Sequence, residues 1–246
     1  MSGASVGVAP STPSPSVGVP PRFAWEHPVG ALGLVLLLVG HWMGLFVAPP
    51  EKMMGEVGRI LYVHVPAAWL ALVAFTVAFF AALGHLFTGR RGLDWTVEAA
   101  CEVGVLLNAL LLVLGSIFAR PTWGVWWTWD PRLTLSAVML LTFVGVLLLR
   151  NVVRDPDRRA TWSSVATVMA YCNIPLTYMS VRWWRSLHQV QSSPETVATT
   201  MVLVLRINAF AFLFLMIWFM ARRWRIAQAR ALAEIPAPLP APLGAP

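Results

Sequence analysis

Six stretches of the chain are apolar almost without interruption: 29–47, 65–87, 97–118, 133–149, 161–180 and 197–220. Each comes close to the roughly 20 residues a helix needs to cross the hydrocarbon of a bilayer. A spanning segment must satisfy every backbone polar group internally, so the pattern predicts an all-α protein with six transmembrane helices. Pro and charged residues punctuate the intervals, as in Ala48-Pro49-Pro50-Glu51 and Arg154-Asp155-Pro156-Asp157. An even number of spans places both termini on one side. The expected organisation is a tail at 1–28, a membrane domain at 29–225 with an external loop at 119–132, and an Ala/Pro-rich tail at 226–246. Both tails have a composition expected to stay disordered. The first carries no basic start of the kind that opens a cleavable signal peptide.

Composition agrees with that reading. The chain of 246 residues is 58% hydrophobic and 12% charged, with a mean hydropathy of +0.68. A soluble domain carries about a quarter charged residues, so a soluble globular class is excluded. The net charge of +7 comes from 17 arginines and one lysine beside the apolar runs. It marks topology rather than a nucleic-acid surface. Arg22, Arg90, Arg91, Arg150, Arg154, Arg158, Arg159, Arg222, Arg223, Arg225 and Arg230 fall at the termini and in the even loops. Lys52, Arg59, Arg120, Arg132, Arg182 and Arg185 fall in the odd loops. The richer set is expected to be cytoplasmic, which turns loops 1, 3 and 5 outward. Cys101 and Cys172 lie within apolar runs without CxxC spacing and read as small apolar residues.

The third loop carries unusual chemistry. Residues 120–132 read Arg-Pro-Thr-Trp-Gly-Val-Trp-Trp-Thr-Trp-Asp-Pro-Arg, which puts Trp123, Trp126, Trp127 and Trp129 within seven positions. An indole is apolar on both faces with one donor at its edge, so it suits a half-apolar, half-wet place. On the same side lie His64, just before Pro66, and His188, in the run Arg182-Trp183-Trp184-Arg185-Ser186-Leu187-His188. Pro favours the first turn of a helix, so the second span is expected to start there with His64 capping its outer end. If the third loop is helical, positions 123, 126, 127 and 130 share a face, and Trp129 points elsewhere. Asp130 can pair with Arg132 or fix the loop through backbone N–H groups.

Two imidazoles, six tryptophans and Arg120, Arg132, Arg182 and Arg185 on one side match what a haem requires. These are axial nitrogen donors, flat apolar walls, and guanidinium forks for two propionates. Each residue also has a plainer explanation. Trp at a membrane surface equally forms an aromatic belt, and a single His at a helix end equally serves as a cap.

Other positions are less informative. His27, His41 and His85 read as interface or packing residues. Arg206 lies within the last span, where a charge is expensive; Asn108, Asn173, a backbone carbonyl or another subunit could pair with it. Glu98 and Glu102 share a face near the inner end of the third span and read as a solvated rim, with contact to a basic partner as the other option.

The segment Trp123-Gly124-Val125-Trp126-Trp127-Thr128-Trp129-Asp130-Pro131-Arg132-Leu133-Thr134 resembles the WGxWWxWDxRLT signature of the WWD haem-handling proteins. Together with His64-Val65-Pro66-Ala67-Ala68-Trp69 and the run 180–189, it resembles the haem exporter protein C (CcmC) family of cytochrome c maturation system I, from about Pro49 to Arg225. That resemblance implies that His64 and His188 are axial ligands to haem b (iron protoporphyrin IX). It makes Trp123 to Asp130 the presenting loop. It also implies a bacterial inner-membrane location, presentation of haem to the periplasmic chaperone CcmE, and work beside an ATPase (CcmA), a membrane subunit (CcmB) and a small subunit (CcmD). The chain has no catalytic motif of its own and no GxxxxGK[ST] phosphate loop.

Two other classes compete. A b-type cytochrome subunit in quinone-linked electron transfer holds haem at intramembrane His pairs, whereas both candidate ligands here sit at the surface. A transporter needs a polar path through the spans, for which Arg206 and Asn108 are the only evident lining.

Overall fold

The computed structural model describes residues 25–188 and 198–234. In order these form α1 (Glu26–Phe46), a 3-10 turn (Glu56–Ile60), α2 (Leu61–Thr88), α3 (Arg91–Trp123), α4 (Pro131–Val152), α5 (Pro156–Tyr171), α6 (Asn173–Trp183) and α7 (Thr199–Ala233). No strand occurs among the described residues; an isolated bridge joins Glu51 and Gly55. Five helical stretches are long and apolar enough to cross a membrane: α1, the 3-10 turn with α2, α3, α4 and α7. This is the architecture of a multi-pass helical membrane protein.

Helix ends follow the local sequence. Pro131 and Pro156 occupy first turns behind the N-caps Asp130 and Asp155, whose carboxylates accept the otherwise orphaned N–H groups of Arg132 and Arg158. Gly89 and Gly124 end α2 and α3 with φ of +66° and +80°, a left-handed conformation that glycine adopts without a Cβ penalty. α7 continues past Arg225 to Ala233, so the final turns before the C-terminal tail are helical.

The fifth apolar run departs from the sequence expectation. It does not form one long helix; α5 and α6 meet at Cys172. The cause is Pro175, which has no N–H to offer the Tyr171 carbonyl and whose ring crowds that carbonyl. Each piece is too short to span alone. As a pair, however, they run the length of the bundle. α5 starts where Asp157 meets Arg91, and α6 ends beside Asp130 at the opposite end.

α2 and α3 form the centre. Phe75 of α2 stacks on Phe143 of α4 with ring centroids 3.7 Å apart, and Val97, Cys101, Met139 and Ala170 close round them. On the other flank Ala67, Ala71 and Ala74 pack against Leu107, Phe212 and Met216. α1 leans almost wholly on α7, which small residues permit: a Cβ on Gly40 would lie 2.7 Å from the Asn208 amide. Leu38, Phe46, Phe80, Leu141 and Met169 point outward as a lipid-facing surface should.

Ion pairs gather at one end. Buried Arg150 bonds Asp94 at 2.6 Å, Glu98 at 2.7 Å and the Ser163 hydroxyl at 2.7 Å. Arg230 takes the other Glu98 oxygen at 3.0 Å, and Arg223 holds Glu102. Glu98 and Glu102 therefore do not form a solvated rim. They lie on one helix face that two other helices cover with arginine, and their like charges are compensated. Arg206 is exposed and has no hydrogen-bond partner among the described residues. Asn108 instead bonds the Ser136 carbonyl, and Asn173 the Leu135 carbonyl. His41 and His85 bond the carbonyls of Leu37 and Arg90, in keeping with packing roles.

Candidate functional site

The end of the bundle opposite the arginines is organised by one carboxylate. Asp130 caps α4 by accepting from the N–H of Arg132 at 2.9 Å and of Leu133 at 3.4 Å. It also accepts from the Leu187 N–H at 2.7 Å and the Ser186 hydroxyl at 3.1 Å. Its Oδ1 lies 3.4 Å from His188 Nδ1, an ionic contact just too long for a formed hydrogen bond. One buried side chain thus ties the loop after α6 to the start of α4. Burial works against ionisation of this carboxyl. The bonds from Leu187 and Ser186, with His188 and the Arg132 N–H, outweigh it, so its pKa falls below the usual carboxylate value.

His188 packs edge-on against Trp123, the last residue of α3, with centroids 5.5 Å apart. Burial is the main influence on its imidazole and lowers its pKa; Asp130 pulls the other way, Arg132 pushes it down further, and the net shift is downward. Such a shift favours the neutral ring, the form that can donate to a metal. Asp130 engages Nδ1, which leaves Nε2 as the nitrogen free to donate.

His64 meets this group from α2. Its Cε1 lies against Gly115 of α3, where an added Cβ would come within 3.1 Å, and its charged or ionisable neighbours are His188 and Arg132. Its Nδ1 is buried with no hydrogen-bond partner among the described residues. Contrary to expectation, His64 does not cap the helix. The 3-10 turn at Glu56–Ile60 leads directly into α2, so the helix starts at Leu61 and contains Pro66. His64 thereby sits within the first turn and projects sideways toward α3 rather than along the helix axis.

The Trp segment is shorter than the sequence indicated and is not helical. Arg120 and Trp123 belong to α3, and Arg132 to α4, which leaves 124–130 as the loop. The left-handed Gly124 stops the helix, so no common face joins Trp123, Trp126, Trp127 and Asp130. The loop is folded back by the Ser116 hydroxyl, which donates to the Trp126 carbonyl at 2.8 Å, one residue from the Gly115 that faces His64. Trp126 is 59% exposed and Trp129 82%, and the rings of Trp127 and Trp129 meet edge-on at 6.0 Å.

The structure therefore brings His64, Trp123, Asp130, Arg132 and His188 into one group, with Trp126, Trp127 and Trp129 on its exposed margin. Other expected members stand apart. Arg120 turns its guanidinium to the Gly124 carbonyl and serves its own loop. Trp183 and Trp184 pack edge-on with each other and stay half exposed. Arg182 and Arg185 are exposed. Gly115, Ser116 and Ser186 were not picked out from sequence. A Gly-Ser pair within an apolar run signals a close helix contact; Ser186 carries no such signal.

Residues 18–235 match the family described as heme exporter protein C. The chain is 32% identical over 209 residues to the heme exporter protein C of Bradyrhizobium diazoefficiens, covering 82% of this chain and 79% of that one. The belonging is direct.

The chain belongs to the heme exporter protein C family.

The family member of Escherichia coli is 32% identical over 206 residues, 81% of this chain and 84% of its own. A ccmC-like mitochondrial protein of cytochrome c biosynthesis from Marchantia polymorpha is 32% identical over 157 residues, 64% of this chain and 66% of its own. The matched span of heme exporter protein C takes in all seven helices of the described residues and both candidate histidines.

Proposed function

We propose that this protein handles haem b during c-type cytochrome biogenesis, holding it at the Trp-rich end of the bundle and presenting it to the chaperone CcmE. One observation carries the reading: two histidines from distant segments, His64 and His188, share a neighbourhood with Arg132; His64 Nδ1 is buried with no hydrogen-bond partner among the described residues, and Asp130 stands at His188 Nδ1, which leaves its Nε2 to donate. Buried polar atoms are normally satisfied, so an unsatisfied imidazole beside one oriented by a carboxylate fits a ligand-binding role. The names of the family members supply the cargo.

In this reading His64 and His188 supply the axial nitrogens, and Arg132 faces the propionates. Trp123 backs His188, while Trp126, Trp127 and Trp129 form an apolar margin that the chaperone meets. Asp130 holds His188 in position and does not touch iron. Haem brings an iron that accepts two imidazole donors; the protein's part is to hold those donors at fixed positions.

The topology follows. α5 and α6 together count as the fifth of six spans, both termini lie on the cytoplasmic side of a bacterial inner membrane, and the Trp loop faces the periplasm. The arginine-rich end is then cytoplasmic, as the distribution of basic residues requires. There the chain meets the ATPase CcmA and the membrane subunits CcmB and CcmD.

The test is chaperone loading in membranes. With CcmE co-expressed, the Trp126→Ala, Trp127→Ala double variant is expected to insert normally yet capture the haem–chaperone complex at least tenfold less well. Normal capture by that variant contradicts presentation by the loop.

A further inference from the structure

Away from the histidine site, an open trough of about 800 Å³ lies in the arginine-rich half of the bundle between the α1–α7 pair and α2–α3. A second apolar trough of about 530 Å³ adjoins it along α2, and Val77 and Thr96 line both. The lining is zoned. Toward mid-bundle stand Val77, Met216 and Met220, while Trp25, Trp224 and Arg225 stand at the mouth. The mouth is built rather than incidental. Trp224 donates its indole N–H to the Gly92 carbonyl at 3.0 Å and meets Trp95 edge-on at 5.2 Å. Arg225 lies 2.9 Å from the carboxylate of Glu26, which is wholly buried at the start of α1 and forms no hydrogen bond of normal geometry with the described residues.

We propose that this trough is a binding site for one anionic phospholipid of the adjoining leaflet, with its phosphate at Arg225 and its acyl chains along Val77, Met216 and Met220. Charge selects this occupant. Arg225 is paired with Glu26, whereas Arg222, one turn earlier on α7, is exposed and has no ion-pair partner among the described residues, so this end of α7 keeps one uncompensated positive charge beside the mouth. A lipid with net charge −1 balances it; a zwitterion does not. Tryptophan at headgroup depth, arginine above and a long apolar channel below repeat the zoning of a phospholipid itself. Because α1 touches little besides α7, the lipid also fills the gap through which that pair leans on the centre.

The experiment is native mass spectrometry of the full-length protein in detergent, titrated with phosphatidylglycerol and with phosphatidylethanolamine of matched chains. One bound phosphatidylglycerol, retained in preference to phosphatidylethanolamine, is expected. Loss of one arginine near a membrane surface costs about 1 kcal/mol, so Arg225→Gln should reduce phosphatidylglycerol retention about fivefold and abolish the preference. Ala221→Phe, which fills the trough without touching charge, should reduce both lipids. Far-UV circular dichroism confirms that each variant is folded. Equal retention of the two lipids by the wild type overturns the proposal, and so does unchanged retention in both folded variants.

Discussion

Asp130 both caps α4 and faces His188. Asparagine caps a helix about as well as aspartate, but it has one carbonyl oxygen in place of two acceptors and so loses the Leu187 N–H bond, and Asp130→Asn should cost about 1–3 kcal/mol. It removes the charge that faces His188 Nδ1, and loss of such an outer partner typically costs 10- to 100-fold in metal affinity. The expectation is at least about tenfold weaker haem retention with a moderate fall in melting temperature, measured by haem titration and thermal denaturation of the same preparation. Equal haem affinity in wild type and Asp130→Asn contradicts the positioning role. Arg150 offers the opposite case. Arg150→Ala leaves Asp94 and Glu98 buried without their shared cation and should cost about 3–5 kcal/mol, visible as a large fall in melting temperature. His64, His188, Asp130 and the tryptophans were all legible in the sequence, since rare residue types near membrane ends stand out. What Asp130 binds was not. Its partners Ser186 and Leu187 come from a segment more than 50 positions away, and a backbone N–H leaves no mark in a sequence.

At the scale of helices, hydropathy located every apolar run, because burial in lipid depends on composition alone. It could not show where a run bends. Pro175 sits inside an otherwise spanning run, and the break it causes at Cys172 directs α6 toward α4, where Asn173 reaches the Leu135 carbonyl. Pro175→Ala restores the missing donor, and because Pro175 lies in the first turn of α6, where proline is tolerated, its removal relieves no large cost but lets α5 and α6 join. The variant should therefore be at least as stable as wild type. A straighter α6 moves the Ser186–His188 segment away from Asp130, so haem retention should fall several-fold. Unchanged retention would show that the bend does not position His188. Periodicity also misjudged the Trp segment, where the helical pattern is real in sequence but Gly124 ends α3 first. Any side chain at Gly124 must adopt a left-handed conformation at a cost of about 1–2 kcal/mol. Gly124→Val should accordingly loosen the Trp loop, read as faster proteolysis between α3 and α4.

Across the whole molecule, the histidine site and the ion-pair network occupy opposite ends of the same long helices. α3 carries Glu98 and Glu102 near one end and Trp123 at the other; α4 carries Arg150 and Arg132. Under the function proposed above, the histidine end is emptied by work done at the opposite end, and the chain has no phosphate loop of its own. On that proposal, release of loaded chaperone from purified components should depend on a separate ATPase subunit and nucleotide; release at full rate without them contradicts that coupling. In the function proposed above, two histidines, one from α2 and one from the segment after α6, together hold the iron. Absorption and magnetic circular dichroism spectra of haem-loaded protein test it most directly. The wild type should be six-coordinate and low-spin with two imidazole ligands, and His64→Ala or His188→Ala should each become five-coordinate high-spin or lose haem. A double variant whose Soret band matches wild type would contradict the assignment.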